Sequence, residues 1–149
     1  MKQTNWTRNY ERRILKKYLS RYFKAKKRQD ILQNRLQDLR QQLHTEAEGG
    51  NALSPSEVEA RLQAQTEAAE RCVLDVMDVL AFLPPNSMER IILELRHLDC
   101  KPWERIQATV YLTASPCFDY YNKGLDALLA VEAVRRKIGL PVEDAGRGL

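Results

Sequence analysis

The sequence predicts an all-α protein in which a long, coiled-coil-like helical hairpin precedes a three-helix domain. Over much of the 149 residues, apolar side chains recur at alternating spacings of three and four, the pattern of helices that pack along one seam. The chain has only 6 glycines and 6 prolines, and most of them stand where helices should begin or end. Hydrophobic residues make up 44% and charged residues 30%, which is typical of a globular protein rather than a disordered chain.

The N-terminal half contains two heptad seams with a glycine-rich break between them. The first seam covers residues 15–43, the second covers residues 58–83, and the predicted loop is 44–54. Ser54 is the predicted N-cap of the second helix. Two such helices joined by a short loop should fold back as an antiparallel hairpin, although a long parallel dimer fits the same pattern. Cys72 lies on the second seam and is therefore expected to be a buried, unreactive thiol.

A domain boundary is predicted at the Pro-Pro pair after residue 83. Residues 1–83 then form the hairpin, 84–141 form the three-helix domain and 142–149 form a flexible tail. The last two helices of that domain are predicted over 102–110 and 114–137, with a tight turn between them. A helix-turn-helix unit needs such a turn, because its second helix braces against the DNA backbone while the start of its third enters the major groove.

Basic residues are concentrated at the N-terminus. Residues 1–30 contain eleven basic and two acidic side chains, although the whole chain carries a net charge of only +4. This asymmetry favours a polyanionic partner such as nucleic acid, and the alternative is a solvated face that keeps the chain in solution. The basic residues predicted to bind DNA or an acidic protein are Arg12, Arg13, Lys16, Lys17, Arg21, Lys24, Lys27 and Arg28.

Three stretches of the C-terminal half carry a known motif. They are Leu83-Pro84-Pro85 followed by residues 90–99, then Trp103-Glu104-Arg105-Ile106, then Thr113 with Gly124-Leu125 and Leu128. These stretches resemble the promoter-reading C-terminal domain of sigma factors. With the basic, Tyr-rich helix ahead of them, the layout resembles phage-encoded transcriptional regulators of the RinA and ArpU type. The resemblance implies binding to double-stranded promoter DNA, contact with bacterial RNA polymerase and a place at the nucleoid in the host cytoplasm.

The chain departs from the sigma-factor pattern at three positions. Gln107 and Gly124 stand where that family usually has alanine, and Tyr111 replaces the glycine of the turn. The charge of the third helix also differs, because Asp119 and Lys123 cancel each other where the family usually has several basic residues. Few phosphate contacts are then expected from this helix, and the basic N-terminal helix is the predicted source of additional affinity.

The predicted DNA contacts divide into groove and backbone residues. Those expected to face the groove are Ser115, Phe118, Asp119, Asn122 and Lys123, and those expected to anchor phosphates are Lys101 and Arg105. Asn122 has the donor and acceptor needed for adenine, Asp119 can accept a hydrogen bond from cytosine, and Phe118 can contact a thymine methyl group.

Catalysis and metal binding have little support in the sequence. Neither His44 nor His97 has a cysteine or acid at metal-ligand spacing, and no nucleophile has a plausible base nearby. His97 is expected to face polar surroundings within the helical bundle. We therefore expect no catalytic residue, no metal and no cofactor. No apolar run approaches the roughly 18 residues of a membrane span, so no membrane partner is expected.

Two other functions fit the same sequence. In the first, the helix-turn-helix is degenerate and the chain is a protein-interaction module that recruits RNA polymerase or another regulator. In the second, the chain is a DNA-packaging adaptor like a small terminase subunit, which would assemble as a homo-oligomeric ring.

Overall fold

The computed structural model describes residues 4–45 and 54–142 and is all-α in that part of the chain, which confirms the all-α part of the prediction. The seven helices of the described residues are α1 (Asn5–Leu19), α2 (Arg21–Thr45), α3 (Pro55–Leu80), α4 (Met88–His97), α5 (Trp103–Val110), α6 (Ala114–Leu129) and α7 (Glu132–Ile138). Among them, none combines the length and the apolar character that a membrane-spanning helix requires.

Side-chain caps fix where several of these helices begin. The hydroxyl of Thr4 accepts the backbone N–H of Thr7 at 3.1 Å, and Ser87 caps α4 in the same way at 3.2 Å. The predicted cap at Ser54 is confirmed, because its hydroxyl accepts the backbone N–H of Glu57 at 3.2 Å. Gly139 ends α7 in the left-handed conformation, with φ of 81°, at the predicted stop position.

The described residues divide into two units. One, called here the bundle unit, contains α1 and the chain from Asp75 onwards; the other, the two-helix unit, contains residues 21–74. This grouping differs from the predicted boundary after residue 83, because α1 packs against α6 and α7 rather than belonging to the two-helix unit. The two helix starts Asn5 and Arg21 therefore fall in different units.

The bundle unit is built around α6, which packs against α4, α1, α5 and α7. Its largest fully buried side chains are Leu15, Leu19, Val76, Val79, Leu80, Ile92, Leu93, Ile106, Cys117, Leu125, Leu128 and Val134. Gly124 allows the close approach of α6 to α4, since a Cβ atom at this position would lie 2.6 Å from Cδ1 of Leu93. This contact gives a physical reason for glycine at position 124.

Two ion pairs attach α1 to the C-terminal helices. Arg12 donates to both carboxylate oxygens of Asp126, at 2.8 and 2.6 Å. Arg135 donates to both oxygens of Glu11, at 3.0 and 2.7 Å, and the Glu11 side chain is only 8% exposed. Both pairs are bidentate, so they fix the orientation of α1 as well as its position.

The two-helix unit has a narrow apolar seam reinforced by polar contacts. Its buried apolar residues are Ala25, Leu36, Val58 and Ala69, all of which lie on the predicted seams. The side chain of Gln29 donates to the hydroxyl of Thr66 at 2.9 Å, and that of Gln65 donates to the carbonyl oxygen of Ala25 at 3.3 Å. These polar side chains on the seams are thus satisfied, which restricts the helices to one register.

The predicted first and last helices are each divided in the structure. The helix predicted along residues 15–43 breaks at Ser20, because α1 packs in the bundle unit and α2 belongs to the other unit. The helix predicted over 114–137 ends at Leu129, and Val131 is extended before α7 begins. This break lets Arg135 reach back to the carbonyl oxygen of Leu129 at 3.1 Å.

Two further predictions need correction or fall outside the described residues. Helix α2 continues to Thr45, so the predicted loop 44–54 begins later than expected. Cys72 is half-buried rather than fully buried, because that position of α3 is only partly covered. The remaining predicted loop residues 46–53 and all but the first residue of the predicted tail 142–149 lie outside the described part of the chain.

Candidate nucleic-acid interface

A three-residue turn joins α5 to α6. Helix α5 ends at Val110, Tyr111 adopts the left-handed conformation with φ of 58°, and Thr113 occupies the predicted N-cap position of α6. The backbone N–H groups of Tyr111 and Leu112 both bond to the carbonyl oxygen of Gln107. Tyr111 therefore takes the conformation that glycine adopts most readily, at the position where the sigma-factor pattern has glycine.

Replacing Tyr111 with glycine is expected to raise the free energy of unfolding by about 0.5–1 kcal/mol, because relief of left-handed strain outweighs the added freedom of the unfolded chain. The Tyr111 ring is 92% exposed, so little packing is lost. Urea unfolding measures the change, and Tyr111→Ala is the control because it removes the ring but keeps the strained backbone. An equal gain from both variants would show that strain is not the cause.

The predicted groove residues lie on the outer face of α6. Ser115, Phe118, Asp119 and Lys123 are exposed, and Asn122 is half-buried. Their spacing brings them to one side of the helix, while Cys117, Tyr121, Leu125 and Leu128 are buried on the other side. Phe118 also contacts the ring of Trp103, with centroids 4.6 Å apart, so this side chain is partly engaged in packing.

Aromatic rings from α5 and α6 form a cluster bordered by cations. The ring of Trp103 meets that of Tyr121 edge-on, with centroids 5.0 Å apart. The Arg96 guanidinium lies 5.1 Å from the Trp103 centroid, and Nζ of Lys16 lies 5.6 Å from the Tyr121 centroid. Both distances are within the range of cation–π attraction. Helices α1, α4, α5 and α6 therefore meet at one cationic and aromatic surface.

His97 lies beneath this surface and is buried, which corrects the expectation that it faces polar surroundings. Its Nε2 atom is hydrogen-bonded to the Tyr121 hydroxyl at 2.8 Å, so this nitrogen of the buried ring has a side-chain partner. Burial lowers the pKa of His97 to about 4, and the charges of Arg96 and Lys16 act in the same direction. Burial also raises the pKa of Tyr121 to about 12, so both groups are uncharged at neutral pH.

The predicted basic helix is divided between the two units. Helix α1 carries Arg12, Arg13, Lys16 and Lys17, and α2 carries Arg21, Lys24, Lys27 and Arg28. Arg13, Lys17 and the four residues of α2 are exposed. Arg12 instead stabilises the packing of α1 on α6 through its bidentate contact with Asp126. This contact raises the pKa of Arg12. A contact between Arg12 and a partner would have to break this ion pair.

The two predicted phosphate anchors flank the start of α5. Lys101 and Arg105 are both exposed, and the carbonyl oxygen of Lys101 accepts a hydrogen bond from Nη1 of Arg96 at 3.0 Å. Arg96 was not predicted as a site residue, although the structure brings it beside the others. The sequence offers one signal for a role of Arg96: it is a basic residue in the last turn of α4, and the next helix, α5, begins with Trp103.

Comparison of the chain with models of protein families, with curated proteins and with solved structures gives no match. Within residues 4–45 and 54–142, no group of three or more His, Cys, Asp or Glu side chains is placed to hold a metal ion. Burial raises the pKa of the Cys117 thiol, and Cys72 and Cys100 are half-buried. The surface around α6 is therefore the candidate site that the described residues support best.

Proposed function

We propose that the chain is a transcriptional regulator that binds double-stranded DNA through a helix-turn-helix formed by α5, the turn at 111–113 and α6. The observation that carries this proposal is the exposed polar face of α6, which begins directly after the three-residue turn. A turn of this length joins the two helices of helix-turn-helix motifs, and the start of the second helix then lies in the major groove.

In this proposal, base contacts and phosphate contacts come from different helices. Asp119 and Asn122 are the residues with hydrogen-bonding groups suited to base edges, and Lys123 adds one charge to the same face. Lys101 and Arg105, at the start of α5, fix the register by binding phosphates. Because the outer face of α6 is nearly neutral, most of the electrostatic affinity has to come from outside this helix.

We also propose that α2 and α3 form an antiparallel hairpin and that the protein is a phage regulator. Two contacts support the hairpin: the ion pair of Arg40 with Glu59 at 2.7 Å and the hydrogen bond of Gln65 to Ala25. In these contacts residue numbers rise along α2 as they fall along α3. The sigma-like motif of residues 83–128 supports a phage regulator of the RinA and ArpU type that acts at the nucleoid. The exposed basic residues of α2 suit a contact with DNA or RNA polymerase.

The test is a binding selection from a random duplex DNA library at about 150 mM salt, because low salt exaggerates nonspecific attraction. We expect one motif to be enriched. The Asn122→Ala/Lys123→Ala variant should then lose this site while keeping its helical content, measured by circular dichroism. The matched control is Asn34→Ala/Lys137→Ala, which changes the same residue types on α2 and α7.

Each outcome of this selection decides part of the proposal. Undiminished binding of the enriched site by Asn122→Ala/Lys123→Ala would overturn α6 as the reading helix. Retention of DNA without a motif would replace a site-specific regulator with a nonspecific DNA-binding protein. No retention at all would overturn the DNA-binding function.

A protein-interaction module is the second candidate, favoured by exposed apolar side chains in the bundle unit. Met77 is 48% and Phe82 is 53% exposed near the end of α3, and Phe118 is 40% exposed on α6. Exposed apolar side chains of this size are common at protein interfaces. Failure to bind DNA would favour this candidate, and a ring of many subunits, measured by mass in solution, would favour a packaging adaptor like a small terminase subunit.

A further inference from the structure

Two cations from different helices remain without carboxylate partners at the aromatic cluster. Lys16 of α1 and Arg96 of α4 form no ion pair with an acidic side chain among the described residues. Two acids of the bundle unit are engaged with other cations, because Glu94 pairs with Arg90 at 3.1 Å and Asp126 pairs with Arg12 at 2.6 Å. The two charges at this place are therefore not neutralised within the described part of the protein.

The aromatic rings hold these two cations in defined positions. Lys16 lies over Tyr121 and Arg96 lies over Trp103, and the two rings are in edge contact at 5.0 Å. The carbonyl oxygen of Lys101 accepts one further hydrogen bond from Arg96. Partial burial lowers the pKa of Lys16, and the neighbouring Arg12 charge acts in the same direction.

The direction of α1 relates this cationic pair to the start of α6. Arg12 contacts Asp126, and one turn later Lys16 contacts Tyr121, so residue numbers rise along α1 as they fall along α6. The last turn of α1 therefore points towards the N-terminal end of α6. In a helix-turn-helix this is the end that enters the groove, where phosphates of the bound strand lie on either side.

We propose that Lys16 and Arg96 together bind the phosphodiester backbone of DNA, which makes α1 part of the DNA-binding surface of the bundle unit. This inference rests on the proposed helix-turn-helix function. Two cations from different helices, lying over neighbouring rings, supply the positive charge that a DNA phosphate backbone attracts. The contact is independent of sequence, so it supplies affinity that the nearly neutral face of α6 lacks.

The test measures binding of a fluorescein-labelled, random-sequence DNA duplex as the salt concentration changes from about 50 to 200 mM. Lys16→Gln and Arg96→Gln should each reduce the slope of log affinity against log salt by about one, and each should weaken binding roughly five- to tenfold at about 100 mM salt. Lys16→Arg and Arg96→Lys should keep the slope because the charge is retained. A purely structural role would change the unfolding temperature without changing the slope.

The matched control is Lys137→Gln, which removes the same charge from α7 of the bundle unit at a position that is not among the predicted DNA contacts. We expect a smaller change in slope for this variant than for Lys16→Gln. Equal changes for the two variants, or unchanged slopes for Lys16→Gln and Arg96→Gln, would overturn the inference while leaving the helix-turn-helix in place. Failure of the unaltered protein to bind any duplex would instead overturn the proposed function, and this inference with it.

Discussion

Arg135→Met is expected to lower the free energy of unfolding of the bundle unit by about 3–4 kcal/mol, because it leaves the buried Glu11 carboxylate without its guanidinium partner. Arg135 donates to both Glu11 oxygens and to the carbonyl oxygens of Leu129 and Pro141, at distances between 2.7 and 3.1 Å. Methionine keeps an apolar stem of similar length but replaces none of these hydrogen bonds. The loss would free α1 from α7 and weaken its contact with α6.

Tryptophan fluorescence during urea unfolding measures the stability of the bundle unit. Trp6 and Trp103 are the two tryptophans of the chain, and both belong to this unit. The control is Arg136→Met, where an arginine that is 69% exposed pairs with Glu132 of the same helix. We expect Arg136→Met to lower the free energy of unfolding by less than about 0.5 kcal/mol. Glu11→Met/Arg135→Met should be more stable than Arg135→Met alone, since it also removes the buried carboxylate that has lost the Arg135 guanidinium. Equal losses for Arg135→Met and Arg136→Met would contradict the assignment.

His97 is expected to make the stability of the bundle unit fall by about 3 kcal/mol as the pH decreases from 6.5 to 4. The pKa of His97 is lowered to about 4 in the folded protein, against 6.5 for an unperturbed histidine. Between these values the unfolded chain binds a proton that the folded protein excludes, so acid favours unfolding. Well above pH 6.5 both states are uncharged at this position, and the contribution no longer changes with pH.

The measurement compares tryptophan-monitored urea unfolding of the unaltered protein and of His97→Gln across this pH range. Glutamine places an amide near the position of Nε2 and can still bond to the Tyr121 hydroxyl, but it does not titrate. Because His44 and the carboxylates are common to both proteins, the difference between the two curves isolates His97. Parallel curves would show that the imidazole is not buried as described here.

The elements that could be predicted from the sequence are those with local signals at both ends. Pro102 and the spacing of Trp103, Ile106 and Val110 are sufficient to predict α5, and the Ser54 cap predicts the start of α3. The exposed face of α6 follows from helical periodicity alone, which is why the predicted groove residues lie together.

The features that could not be predicted depend on contacts between distant residues. The alternation of threes and fours continues across Ser20, and the break there accompanies the Arg12–Asp126 and Glu11–Arg135 pairs, whose members are more than 100 residues apart. The burial of His97 likewise depends on Tyr121, 24 residues further along the chain. Local periodicity contains no information about such partners, so Arg12 was interpreted as a binding residue rather than as part of the fold.

The discontinuous chain of the bundle unit also has a consequence for the order of assembly during synthesis. Helix α1 leaves the ribosome before the other described helices, and its ion-pair partners lie 114 and 124 residues later. Helices α2 and α3 pair through contacts between residues only 19 to 40 apart and can meet much earlier. Helix α1 therefore cannot form its ion pairs until α6 and α7 have been synthesised, and the bundle unit can complete its folding only then.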